Sequence, residues 1–142
     1  MDVKTAFLNG ELDEEVYMIQ PKGFTSTDES KMCRLQRSIY GLKQASWSWN
    51  IRFDRMIKTY GFVKNGEETC IYKWINGAVV VFLILYVDDI LFIENDIPML
   101  TTVKRWLSKK FSMKDLGEAF HILSIKVYRD RDRYKIMMKL SQ

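Results

Sequence analysis

Ala78-Val79-Val80-Val81-Phe82-Leu83-Ile84-Leu85-Tyr86-Val87-Asp88-Asp89-Ile90-Leu91-Phe92-Ile93-Glu94-Asn95 is an apolar run broken once, by a pair of aspartates. Ala78 to Tyr86 carries no charge and is mostly β-branched or aromatic, and Ile90 to Ile93 resume that character. The stretch reads as strand, tight turn, strand. Two carboxylates at the tip of an otherwise buried hairpin are costly, because like charges raise each other's pKa and desolvation adds to the penalty. A divalent cation would remove that penalty; a solvated Asp-Asp turn is the other reading of the same residues.

Working outward, Glu67 to Ile75 is a strand-like run, and Asn76-Gly77 is a strong two-residue hairpin signal. The three runs together predict an antiparallel meander. Beyond it, Asn95 or Asp96 caps a helix with Pro98 in its first turn, and Leu100, Val103, Trp106, Leu107 and Phe111 form its apolar stripe. Met113 to Gly117 closes that helix, a strand runs from Phe120 to Tyr128, and another starts at Tyr134 after the charged turn of Arg129 to Arg133. On the other side, Ser46 is a helix N-cap, and Trp49, Phe53, Met56, Ile57 and Tyr60 share one face of a helix that Gly61 ends. Those aromatics belong to a core rather than to a base-stacking platform. Val16 to Gln20 alternates as a short strand stopped by Pro21 and Gly23, and Thr25 to Ser30 is a polar loop.

The composition narrows the classes. The 142 residues are 47% hydrophobic and 28% charged, which suits one soluble globular domain with a real core. The uncharged run Ile75 to Val87, extended by one residue at Trp74, is well short of the roughly 20 residues a membrane helix needs, so the expected setting is intracellular with no membrane partner. Cys33 and Cys70 are far apart with no C-x-x-C partner, which argues for free thiols over a zinc site or disulfide scaffold. His121, the only histidine, lacks a metal-spaced partner and reads as a strand residue. The net charge of +4 is modest, but from Lys31 to Lys58 seven bases, Lys31, Arg34, Arg37, Lys43, Arg52, Arg55 and Lys58, are opposed only by Asp54. A basic segment fits a polyanionic partner, and a solvated helix face fits it as well.

Tyr86-Val87-Asp88-Asp89 resembles the catalytic motif of reverse transcriptases, and segments on both sides extend the likeness. Asp2-Val3-Lys4-Thr5-Ala6-Phe7-Leu8-Asn9-Gly10 closely resembles the first catalytic motif of the copia-type retrotransposon enzymes. Cys33 to Ser46 resembles their second motif, with Gln44 where related retroviral enzymes carry the Gln of Leu-Pro-Gln-Gly. Val16 to Phe24 and Met113 to Gly117 match further family segments. The chain is therefore identified as resembling the palm region of a copia-type LTR retrotransposon reverse transcriptase, a fragment of a Pol polyprotein.

That resemblance implies an α+β fold, a polymerase palm-like antiparallel sheet with two helices packed on one face. It implies RNA-directed DNA polymerase chemistry by two-metal nucleotidyl transfer. Asp2 and Asp88 bridge two Mg²⁺ ions about 3.5 to 4 Å apart, Mn²⁺ being an alternative, and Asp89 completes the site. Phe7 lies beneath the sugar and excludes a 2′-hydroxyl, Gln44 meets nucleotide or template, Tyr86 meets the nucleotide, and Lys43, Arg52 and Arg55 track phosphate. The implied partners are an RNA or DNA template-primer, deoxynucleoside triphosphates, and the fingers, thumb and ribonuclease H segments that this stretch lacks. With those absent, and with the Asp2 strand cut short and free to fray, little or no processive polymerisation is expected of the chain alone.

Three positions depart from the family pattern: Trp47 where Arg or another polar residue is usual, Glu94 where Gly is common, and Ser124 in place of the Gly of Leu-Gly-Ile. Each is one C-to-T or G-to-A transition from the usual codon. A degenerate transposon relic is thus one alternative, and a non-catalytic nucleic-acid-binding module, with Asp2, Asp88 and Asp89 far apart, is another.

Overall fold

The computed structural model describes residues 1–24, 28, 30–122, 125–130 and 135–140. In chain order these are β1 (Asp2–Val3), a 3₁₀ turn (Ala6–Asn9), β2 (Tyr17–Ile19), β3 (Met32–Arg34), α1 (Ala45–Thr59), β4 (Val63–Lys64), β5 (Ile71–Asn76), β6 (Val79–Tyr86), β7 (Asp89–Glu94), α2 (Ile97–Lys110), β8 (Met113–Lys114), β9 (His121–Ile122), β10 (Ile125–Asp130) and β11 (Lys135–Leu140). The principal sheet runs β4-β5-β6-β7-β1-β8 with antiparallel pairing throughout. β2 pairs with β3, and β9, β10 and β11 form a separate three-stranded sheet. Ser124 and the start of the last strand at Tyr134 lie outside the described residues, as do 25–27 and 29 of the polar loop.

Strand alternation places the core. Val81, Leu83 and Leu85 of β6 point to one face, where Tyr72 of β5 and Ile90 and Phe92 of β7 join them. Both helices cover that face: Trp49, Phe53 and Ile57 of α1 and Val103 and Leu107 of α2 belong to the same buried cluster, with Phe111 just past α2. Phe53 stands edge-on to Tyr72 at 5.9 Å, and Trp49 edge-on to Phe111 at 5.2 Å. Burying each such side chain contributes roughly 1.5–3 kcal/mol, which makes this cluster the main source of stability. At its margin Asp54 of α1 accepts hydrogen bonds from Lys58 (2.7 Å) and the Tyr72 hydroxyl (3.1 Å) and lies 3.5 Å from Lys64, tying the outer strands to the helix.

The α+β class, the meander, the apolar helix stripes and the Asp96 cap all match the sequence expectations. Asp96 accepts a bond from the Met99 amide at 2.7 Å. Asn95 instead staples the start of β6, accepting from the Val80 amide and donating to the Ala78 carbonyl.

Other boundaries differ, each for a local reason. α1 starts at Ala45 with Gln44 as its cap residue, so Ser46 lies inside the helix rather than capping it. β5 begins at Ile71, because Asn65 bonds the Glu67 amide and turns the chain before the strand can start. Asn76 pairs with Val79, so the hairpin loop is Gly77-Ala78, one residue later than expected. Met113-Lys114 does not close α2 but forms an edge strand on β1. The single strand expected from Phe120 to Tyr128 is two strands folded on each other, with Ile125 opposite Ile122.

Candidate active site

The turn between β6 and β7 consists of Val87 and Asp88, flanked by the paired residues Tyr86 and Asp89. Val87 has φ +54°. A positive φ at the first residue of a two-residue hairpin is the pattern of a type II′ turn, a place ordinarily taken by glycine. Both carbonyls of the turn are held from outside the hairpin. The Trp49 indole Nε1–H donates to the Val87 oxygen at 2.6 Å, and the Val3 amide donates to the Asp88 oxygen at 2.8 Å.

β1 brings the third carboxylate. Asp2 is in register with Asp89 on one side and Lys114 on the other. Met1 and Ile90 exchange bonds in both directions, its amine donating at 2.8 Å and its carbonyl accepting at 2.7 Å. Lys4 donates to the Ser112 carbonyl at 2.9 Å. The strand expected to fray is thus bonded along both edges. Because Val3, Leu85 and Ile90 are buried toward the helices, alternation turns Asp2, Tyr86 and Asp89 to the opposite, open face of the sheet.

The chain therefore gathers Asp2, Asp88 and Asp89 from two distant segments. Burial of its surroundings raises the Asp89 pKa, the nearby Asp88 and Asp2 charges raise it further, and the Met1 amine opposes them. Asp89 is nevertheless an exposed residue, so solvent screens the effect. Among the described residues no three His, Cys, Asp or Glu side chains stand close enough to hold a metal ion as they are. The donor chemistry, all carboxylate oxygen on adjacent backbone positions, suits a hard divalent cation such as Mg²⁺ or Mn²⁺.

The other expected site residues are more dispersed. Phe7 sits on the 3₁₀ turn, half-buried against the core, with the Tyr40 ring 4.7 Å away at 41°. Gln44 stands half-buried at the start of α1, where its side chain makes no cap bond. Tyr86 is exposed at the end of β6, and Lys43 is exposed before α1.

Arg52 and Arg55 face Glu11 at 3.4 and 3.8 Å, and Arg34 meets Glu15 at 2.9 Å. Glu11 and Glu15, from the acidic segment Glu11 to Glu15, thus offset part of the basic run, a compensation invisible to a count along the chain. These are surface pairs worth little. Trp47 is exposed on α1 and Glu94 ends β7 opposite Val81, so the fold accommodates both departures.

Sequence reasoning missed Tyr40 beside Phe7 and the Trp49 bond to the turn. Trp49 was legible as a core residue from helical spacing; nothing local marks which carbonyl its N–H meets.

A family model described as reverse transcriptase (RNA-dependent DNA polymerase) matches residues 1–140. The chain is 43% identical over 140 residues to the retrovirus-related Pol polyprotein from transposon TNT 1-94 of Nicotiana tabacum, covering 97% of this chain and 10% of that protein. It is 38% identical over 130 residues to the Pol polyprotein from transposon RE1 of Arabidopsis thaliana, covering 91% and 9%. Against a transposon Ty5-1 protein of Saccharomyces cerevisiae it is 35% identical, covering 91% and 42%. The chain thus spans about a tenth of the two plant polyproteins. No solved structure matches it.

Proposed function

The chain belongs to the reverse transcriptase (RNA-dependent DNA polymerase) family, and from that premise we propose that it carries the catalytic carboxylates of a copia-type retrotransposon enzyme on a palm-like sheet. The observation that carries this reading is the in-register pairing of Asp2 with Asp89 beside the turn that bears Asp88. It also weighs against a non-catalytic module, for which the three carboxylates would lie apart.

In this reading Asp2 and Asp88 hold the divalent cations and Asp89 completes the set. A bound cation supplies charge neutralisation for the triphosphate and acidifies the primer 3′-hydroxyl. Burial first, and then the Asp88 and Asp2 charges, raise the Asp89 pKa, and a bound cation would oppose both. Phe7, backed by Tyr40, closes off space for a 2′-hydroxyl, so deoxynucleotides are preferred. Gln44 and Tyr86 contact the nucleotide, and Lys43, Arg52 and Arg55 neutralise template-primer phosphates. The chain spans only about a tenth of its plant relatives, so the remaining polymerase segments come from the parent polyprotein, and the chain alone carries little or no processive polymerisation.

The test is Mg²⁺- or Mn²⁺-dependent incorporation of a deoxynucleotide on a primed RNA template, run beside Mn²⁺ titration of the ¹⁵N-labelled chain. Broadening of the Asp2, Asp88 and Asp89 amides that the Asp88→Asn, Asp89→Asn double substitution abolishes would support the carboxylate site, with or without incorporation. Broadening unchanged by the substitution would overturn it.

A further inference from the structure

We propose that Trp49 is a positioning residue for this site: its indole N–H holds the Val87 carbonyl and thereby keeps the turn in the left-handed conformation that presents Asp88. Val87 is β-branched, and at φ +54° its side chain crowds its own backbone. Such a residue persists only where its surroundings over-determine it. Those surroundings are visible here. The 2.6 Å bond from Trp49 fixes the carbonyl immediately before Asp88, and the 2.8 Å bond from Val3 fixes the carbonyl of Asp88 itself. With successive carbonyls anchored, the peptide that carries the Asp88 side chain has one setting.

The anchor is itself immobile. Trp49 is 1% exposed, tilted on Phe53 at 5.5 Å and edge-on to Phe111 at 5.2 Å, so its ring cannot follow a turn that relaxes. An indole has a single donor and no acceptor, and burying that donor without a partner is costly. The bond is therefore enforced from both ends: the turn needs the donor, and the buried donor needs the carbonyl. Losing it releases the turn toward a conformation valine prefers and shifts the Asp88 carboxylate relative to Asp2 and Asp89.

The metal arm of the test rests on the carboxylate reading above; the conformational arm does not. Trp49 is replaced by 3-benzothienylalanine, which keeps the fused ring and substitutes sulfur for the N–H, with Trp49→Phe as a second variant. Amide dispersion confirms that each is folded. Two quantities are read: the Val87 backbone coupling and Cα shift, which report its φ, and the Mn²⁺ midpoint for broadening at Asp88 and Asp89.

The expected result is loss of the positive-φ signature at Val87 with Mn²⁺ binding weakened at least about tenfold, the scale seen when an outer partner of a metal site is removed. Adding Val87→Gly should restore binding, because glycine adopts that φ without steric cost. A benzothienyl variant whose Val87 keeps its φ and whose Mn²⁺ midpoint is unchanged would overturn the proposal, as would failure of Val87→Gly to rescue. If the unsubstituted chain shows no Mn²⁺ broadening at all, the carboxylate reading fails, and the Val87 signature alone still decides the role of Trp49.

Discussion

The turns at the two ends of β6 have the same length and both enter on a positive φ, +59° at Gly77 and +54° at Val87, yet they are built from opposite materials. At Gly77-Ala78 the residue suits the geometry, no atom lies where a Cβ would go, and Asn95 staples the neighbouring backbone. At Val87-Asp88 the residue opposes the geometry, and a buried tryptophan on another element holds it in place. The first turn is specified locally. The second is specified by the tertiary structure, and it is the one that carries the carboxylates. Val87 shares its positive φ with one other β-branched residue among those described, Thr5 at +51°, and differs from the glycine turn in being held by a side chain from another element.

That contrast can be broken at its anchor. Trp49→Ala removes a fully buried ring together with the bond to Val87, and should destabilise the chain by about 3–5 kcal/mol in urea unfolding. A loss under about 1 kcal/mol would mean the core closes without it and the second turn stands unaided. Moving the valine is the next largest change. Gly77→Val puts a β-branched residue at φ +59° with no anchor, and should cost about 1–2 kcal/mol. Equal stability would show that a positive φ is cheap in this sheet and would remove the reason to regard Val87 as supported.

The reverse exchange sharpens the comparison. In Val87→Gly the relief of crowding offsets the entropy lost by glycine, so stability should stay within about 0.5 kcal/mol of the parent. A clear loss would mean that the valine side chain itself contributes.

Smallest is the pH dependence of Asp89→Asn. Burial first, then Asp88 and Asp2, raise the folded-state pKa of Asp89. A raised carboxylate favours the fold while protonated, below its unfolded value of about 3.9, and loses that contribution as pH rises through its folded value. The Asn variant should therefore match the parent near pH 3 and melt slightly above it at pH 7, with the gap shrinking in salt. A gap that instead closes with rising pH would reverse the sign and rule out carboxylate repulsion as its source.

How much of this was legible in the sequence follows the same division. β6, β7 and the buried faces of both helices were readable because their periodicity repeats over many residues, as at Val81, Leu83 and Leu85 or Val103 and Leu107. Asp2 was placed beside Asp89 through family resemblance; no local pattern of two residues could have paired β1. Met113-Lys114 was misassigned for the same reason, since a two-residue edge strand has no period to detect. The Val87 conformation was hidden because valine argues against it, and the partnership of Glu11 with Arg52 and Arg55 because it joins residues far apart in the chain.

The insertion of β1 between β7 and β8 also sets an order of events during synthesis. β5, β6 and β7 close on their sequence neighbours, whereas Met1 and Ile90, bonded in the finished molecule, are 89 positions apart. Asp2 precedes both of its sheet neighbours, Asp89 and Lys114, by a long stretch of chain. Such non-local pairing is the slow part of folding. The three carboxylates are consequently brought onto neighbouring positions only with completion of the sheet. Hydrogen exchange at the Val3 and Ile90 amides, whose acceptors lie across that junction, should accordingly report the same opening event.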